Sequence, residues 1–227
     1  MAATRTQTKS FDSGGYTTSF NFSFDSSVTA GNLLVVVVYH GGGATCTISD
    51  SAGNTWNKLD DSGDAPPYAD GTWWYCVPAT GGNLTMTVEP SDYSYAVGIA
   101  REYSGLISSP LDKKAENLDG GYTTNHATGT TDSTTQATEL VVAVYVADSA
   151  TFSYTISGFS NKLEANNGTY GEVVIADKDV TSTGTQSGTF VGSDTTNGWA
   201  GIATFKEVVA GTVVQDVIQP GIIAFPR

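Results

Sequence analysis

Basic residues are scarce in this chain. Ten Lys and Arg stand against 23 Asp and Glu in 227 residues, a net charge of −13. Bulk charge therefore repels polyanions, and nucleic acid and anionic membrane surfaces are excluded as partners held by that force. Histidine is rarer still, with only His40 and His126, and neither lies in a His-x-x-x-His or Cys-x-x-Cys spacing that would hold a transition metal. Two cysteines, Cys46 and Cys76, are too few for a disulfide framework and read as two buried thiols or one bridge. No apolar run approaches the roughly 18 residues of a membrane span. The longest, Leu33 to Tyr39, is strand-sized. The first ten residues are polar, so no Sec-type leader is expected. No segment holds a 3.6-residue apolar period between caps, which argues against helices.

What the chain does have is 26 Gly and 32 Thr, with abundant Val and Tyr. That composition favours strands and turns. It also repeats itself. Gly14-Gly-Tyr-Thr-Thr18 matches Gly120-Gly-Tyr-Thr-Thr124, and at the same offset Leu34-Val-Val-Val-Val-Tyr39 matches Leu140-Val-Val-Ala-Val-Tyr145. Between positions 14 and 39, 12 of 26 residues are identical. Thr47-Ile-Ser49, Asn57-Lys-Leu59 and Gly98-Ile-Ala100 recur in order as Thr155-Ile-Ser157, Asn161-Lys-Leu163 and Gly201-Ile-Ala203. Conserved order over five blocks implies a duplicated unit. The expected organisation is a first unit over 1–107, a second over 115–208 and a C-terminal arm over 209–227, with a loop at Ser108 to Lys114.

Each unit reads as six or seven short strands. Phe20, Phe22 and Phe24 alternate with polar residues, as in a half-buried strand. Leu33 to Tyr39 is apolar throughout, which suits a central strand covered on both faces. The expected fold is all-β: two tandem, internally duplicated antiparallel β-sandwich units, jelly-roll or Ig-like, with an extended arm. Whether each copy closes its own sandwich or the two interleave stays open at this level.

Four features invite a functional reading. Asp60, Asp61, Asp64 and Asp70 form an acidic loop whose hard oxygens suit calcium; the alternative is a solvated loop, with no cofactor at all. Trp73 and Trp74 point to opposite faces of one strand, so one of them could stack on a surface glycan while the other fills a core. His40-Gly-Gly-Gly43 looks like an oxyanion-hole loop, but no Gly-x-Ser-x-Gly accompanies it, so it reads as a glycine-rich turn and the chain as a non-enzyme. The arm presents Val213, Val214, Val217, Ile218, Ile222, Ile223 and Phe225 around Pro220-Gly221. So apolar a segment needs cover, either on its own sandwich or on a partner.

Gly31-Asn-Leu-Leu-Val-Val36, Ser49-Asp-Ser-Ala-Gly-Asn-Thr55 and Glu102-Tyr-Ser-Gly105 followed by Pro110-Leu-Asp112 carry a resemblance. With them the chain resembles a loose family of tandem β-sandwich structural proteins of tailed phages, of the capsid-decoration or tail type, also seen in bacterial surface proteins. The resemblance implies a non-enzymatic subunit of a virion assembled in the host cytoplasm, with itself and other structural proteins as partners. It carries over no catalytic residue. The alternative expectations are a carbohydrate- or surface-binding module and an extracellular filament or adhesin subunit.

Overall fold

The structure is a computed structural model that describes residues 2–41, 45–61, 70–119, 121–148 and 152–209. The chain is all-β. Among the described residues sixteen strands run β1 (Thr4–Asp12), β2 (Phe20–Ser23), β3 (Leu33–His40), β4 (Cys46–Asp50), β5 (Asn57–Asp61), β6 (Gly71–Cys76), β7 (Thr85–Pro90) and β8 (Ala96–Ser104), then β9 (Leu106–Leu118), β10 (Thr123–Thr130), β11 (Glu139–Ala147), β12 (Tyr154–Ile156), β13 (Ser160–Asn166), β14 (Glu172–Val180), β15 (Ser187–Thr196) and β16 (Gly198–Glu207).

The first eight strands form a five-stranded sheet, β1-β8-β3-β6-β5, and a three-stranded sheet, β2-β7-β4. The last eight form β9-β16-β11-β14-β13 and β10-β15-β12, which is the same order with every index raised by eight. Each copy closes its own sandwich around its own core. Phe22, Met86, Val88 and Trp74 fill the first, and Tyr145, Tyr154, Phe190 and Ile202 fill the second.

A third core lies between the units. Leu33, Val35, Val37, Trp73 and Ile99 meet Val142, Val144, Val146, Ile175 and Trp199, so the two five-stranded sheets stack face to face. The molecule is therefore four β layers, of three, five, five and three strands. This is why β3 and β11 are buried along their whole length. Across the stack β1 meets β13 (Arg5 to Asn161), β8 meets β14 (Arg101 to Asp177), β6 meets β16 (Trp73 to Trp199) and β5 meets β9 (Asp60 to Lys114). Exchanging each strand for its duplicate returns the same pairs. The units are thus related by an approximate two-fold axis through β3 and β11, as in an isologous dimer. Close approach is built in by glycine: a Cβ on Gly171 would lie 2.3 Å from the Tyr39 ring, and one on Gly71 2.8 Å from Val146.

Two sequence expectations need correction, and one strand goes beyond them. Ser108 to Lys114 is not a loop but part of β9, and the chain crosses between sheets at Gly105, whose φ of 87° suits glycine. Pro110 is tolerated because β9 is an edge strand with an irregular register there. The strand beyond them is β1, an edge strand, polar except for buried Phe11. Second, the gapless match of Leu34–Tyr39 with Leu140–Tyr145 pairs equivalent strands but opposite faces. Leu34 and Val36 face their own sandwich core, whereas Leu140 and Val142 face the inter-unit core. The faces of Tyr39 and Tyr145 are likewise exchanged. A one-residue phase change inverts every side chain, and a strand covered by apolar layers on both sides tolerates it.

If the shared core couples the units, Trp73→Ala should cost about 3–5 kcal/mol and leave one cooperative unfolding transition. Urea denaturation followed by far-UV circular dichroism checks this. Two separate transitions, with only the first displaced, would show that each unit stands without the other.

Candidate functional site

Burial decides the fate of the tryptophans. Trp73 is 1% exposed in the inter-unit core and Trp74 4% exposed in the first sandwich core. Neither offers a face to a sugar, which corrects the glycan-stacking expectation: β6 is a central strand with an apolar layer on each side. In the acidic loop, Asp60 is held 2.7 Å from Lys114 Nζ across the unit boundary. Asp70 is described and half-buried, only the backbone of Asp61 is, and Asp64 lies outside the described residues. Among the described residues no three carboxylate, His or Cys side chains gather around a common point. The arm residues Val213, Val214, Val217, Ile218, Ile222, Ile223 and Phe225 also lie outside the described residues. Cys46 and Cys76 are free thiols in the first core, and burial pushes both up to about 12.

Both histidines are buried. His40 Nε2 sits 2.7 Å from Thr72 Oγ1. His126 Nδ1 lies 2.6 Å from Asp119 Oδ2, and its ring stacks on Tyr145 at 4.2 Å between centroids. The first unit carries Phe20, Phe22 and Phe24 where the sequence repeat places His126, Thr128 and Thr130. The second core has thus exchanged phenylalanines for a sealed polar cluster. The seven-residue spacing of Asp119 and His126 gave no sign of the pair, because the turn between β9 and β10 is what brings them together. His126 and Asp119 are both buried, so the pair is shut off from solvent.

The boundary between the units carries a polar clamp. Arg101 Nη1 donates to Asp177 Oδ2 at 2.7 Å, Tyr103 donates its hydroxyl to the same oxygen at 3.0 Å, and Asn161 Nδ2 donates to Oδ1 at 2.7 Å. Arg101 Nη2 also donates to the Asn161 carbonyl, and Arg5 reaches the same carbonyl at 3.5 Å. Asn161 adopts a φ of 52°, the one positive value outside glycine among the described residues. Across the dyad, β6 and β16 place Tyr75 against Phe205 instead, 5.9 Å apart and edge to face. The boundary is thus ionic at β8 and β14 and aromatic at β6 and β16, with the Asp60–Lys114 ion pair at the neighbouring edge strands.

Among the carboxyls of the second unit, Glu139 and Glu172 are raised furthest. Burial first, then hydrogen bonding with Asp112, pushes Glu139 up to about 7. Burial first, then the Glu164 charge, pushes Glu172 up to about 8. Asp112 is itself opposed by burial, but the Thr135 N–H and hydroxyl, at 2.5 and 2.7 Å, outweigh it and hold the carboxyl at about 2.

The concavity with the chemistry of a binding site is a tyrosine cleft of about 220 Å³ at one end of the unit boundary. Tyr16, Tyr93 and Tyr95 come from the first unit and Tyr170 from the second, with Tyr39 beneath. Tyr16 and Tyr93 stack at 5.6 Å, Tyr16 and Tyr95 meet edge to face at 4.5 Å, and Tyr95 and Tyr170 lie 5.1 Å apart. Two backbone bonds between Thr17 and Ser94, at 2.9 and 3.0 Å, hold the first wall. Asn167 holds the second, its Oδ1 accepting the N–H groups of Thr169, Tyr170 and Gly171. Sequence reasoning passed these residues over. The one local signal was the Tyr93-Ser-Tyr95 alternation; nothing local joins it to Tyr16 or Tyr170.

Comparison of the chain with protein-family models, with curated proteins and with solved structures returns no match.

Arg101→Met alone should cost about 3–5 kcal/mol, because Asp177 is left buried without its main counter-charge, while adding Asp177→Leu should recover most of the loss. Urea midpoints of the two variants decide it; a double variant no better than the single one would mean that the clamp is not a self-contained unit.

The displaced carboxyls predict a pH dependence. Folded Glu139 and Glu172 hold protons that the unfolded chain releases near the ordinary value of about 4.5. Their contribution is therefore fully present below that value and is lost as pH rises through about 7 and 8. The melting temperature should fall from pH 5 to pH 8, and Glu139→Gln with Glu172→Gln should flatten that slope. An unchanged slope in the double variant would assign the dependence elsewhere.

Proposed function

We propose that the chain is a non-enzymatic structural subunit of a virion, of the capsid-decoration or tail kind, or of a comparable symmetric assembly. The observation that supports this reading most is the dyad-related stack itself. One chain packs two copies of a unit through an interface of the isologous kind, with a shared apolar core between them. Its strand-and-turn motifs resemble phage structural proteins, and its acidity disfavours a nucleic-acid partner. Beyond the last strand, Val208 and Val209 open an apolar segment with their side chains exposed. On this reading 209–227 is the arm that joins the block to another subunit. Burying one Val, Ile or Phe side chain is worth roughly 1.5–3 kcal/mol, so the arm's apolar residues can outweigh much of the ordering cost.

A chain ending at Val209 should keep the melting temperature of the full chain but lose self-association, or binding to its native particle, in sedimentation analysis. Equal association by both chains would remove the arm from the assembly. A truncated chain whose second unit unfolds would make the arm an intramolecular strand.

A further inference from the structure

We infer that the tyrosine cleft at the unit boundary binds a single neutral pyranose ring. This does not rest on the assembly reading, since a monomeric binding module and a virion subunit could carry the same cleft.

The fold does not require Tyr93 or Tyr95. The second unit keeps Tyr122 where the repeat places Tyr16, but it has Thr196 and Gly198 at the places of Tyr93 and Tyr95. It folds to the same strand order without them. Nor do the tyrosines of its walls fill a core: Tyr93 is 69% exposed, and Tyr16 and Tyr170 are each nearly half exposed, while Tyr39 beneath them belongs to the inter-unit core. Large aromatics gathered at the surface of a chain with so few exposed apolar residues mark a contact surface.

The lining chemistry selects the ligand class. The cleft is lined by five tyrosines with Ser94 and Gly41, and no charged side chain lines it. An anionic ligand would find no counter-ion there, and the net charge of −13 disfavours an anionic sugar further. A volume of about 220 Å³ is below the roughly 300–1,000 Å³ of sites for drug-sized ligands and leaves room for one ring. Tyrosine faces carry negative charge density and attract the polarised C–H groups on the apolar face of a pyranose. Their hydroxyls then serve the sugar hydroxyls at the ring edge. The walls are held in advance by the Thr17–Ser94 bonds and the Asn167 turn, so little ordering is needed on binding.

Saturation-transfer NMR with methyl β-glucoside, methyl β-galactoside and methyl α-mannoside on the full chain tests the inference. At least one should show transfer strongest at the ring C–H protons of its apolar face. Tyr93→Ala and Tyr170→Ala should each weaken it tenfold or more, whereas Tyr93→Trp and Tyr122→Ala should retain it. A circular dichroism melt of each variant separates loss of binding from loss of fold. No transfer from any of the three sugars, or transfer unchanged by both cleft variants, overturns the inference. Binding of a proline-rich peptide in place of the sugars would also overturn it, identifying the cleft as a polyproline groove.

Discussion

The burial of one five-stranded sheet against the other is the constraint from which the rest of the molecule follows. Each unit alone would leave one face of that sheet in water. On the first unit that face carries Leu33, Val35, Val37, Trp73 and Ile99, and on the second Val142, Val144, Val146, Ile175 and Trp199. Such a surface is far larger than a soluble domain leaves exposed. Covering it with its own duplicate solves the problem for both copies at once. The approximate dyad is then the natural solution, since a self-complementary face pairs with itself by two-fold rotation. Gly105, the single residue between β8 and β9, lets the chain step from one sheet to the next.

The backbone keeps the dyad and the side chains have left it. At β8 and β14 the boundary is the Arg101–Asp177 clamp, while at β16 and β6 it is the Phe205–Tyr75 contact. The first core holds phenylalanines on β2, and the second holds His126 and Thr128 on β10. A buried ion pair adds little net stability over apolar residues of the same volume, but it penalises any shift that would separate the partners. The clamp therefore contributes more to the registration of the two sheets than to the affinity between them, which the apolar core already supplies.

The tyrosine cleft is a consequence of this broken symmetry. It forms at the boundary, where loops of both units meet, and its floor residue Tyr39 belongs to the inter-unit core. A cleft made in this way exists only when the units are stacked. Its geometry is as rigid as the shared core beneath it, and the close approach of Gly171 to Tyr39 ties its far wall to its floor.

The sequence by itself determined the all-β class, the duplication and the central position of Leu33 to Tyr39. These rest on composition, ordered repeats and local apolar runs, which are properties of neighbouring residues. It left β1 unseen, because an edge strand with one buried side chain has almost no alternation to read. It read Ser108 to Lys114 as a loop for the same reason: the polar and proline chemistry of an exposed edge strand is that of a turn. The phase of β11 against β3 could not be read, since a strand apolar on both faces has no parity in its sequence. Trp73 and Trp74 were legible as a pair facing opposite ways, but only the second stacked sheet decided that both are buried. The Asp119–His126 pair, the Arg101–Asp177 clamp and the tyrosine cleft were invisible for one physical reason. Each joins residues from separate strands or loops, and only the packing of the sheets decides which of them meet.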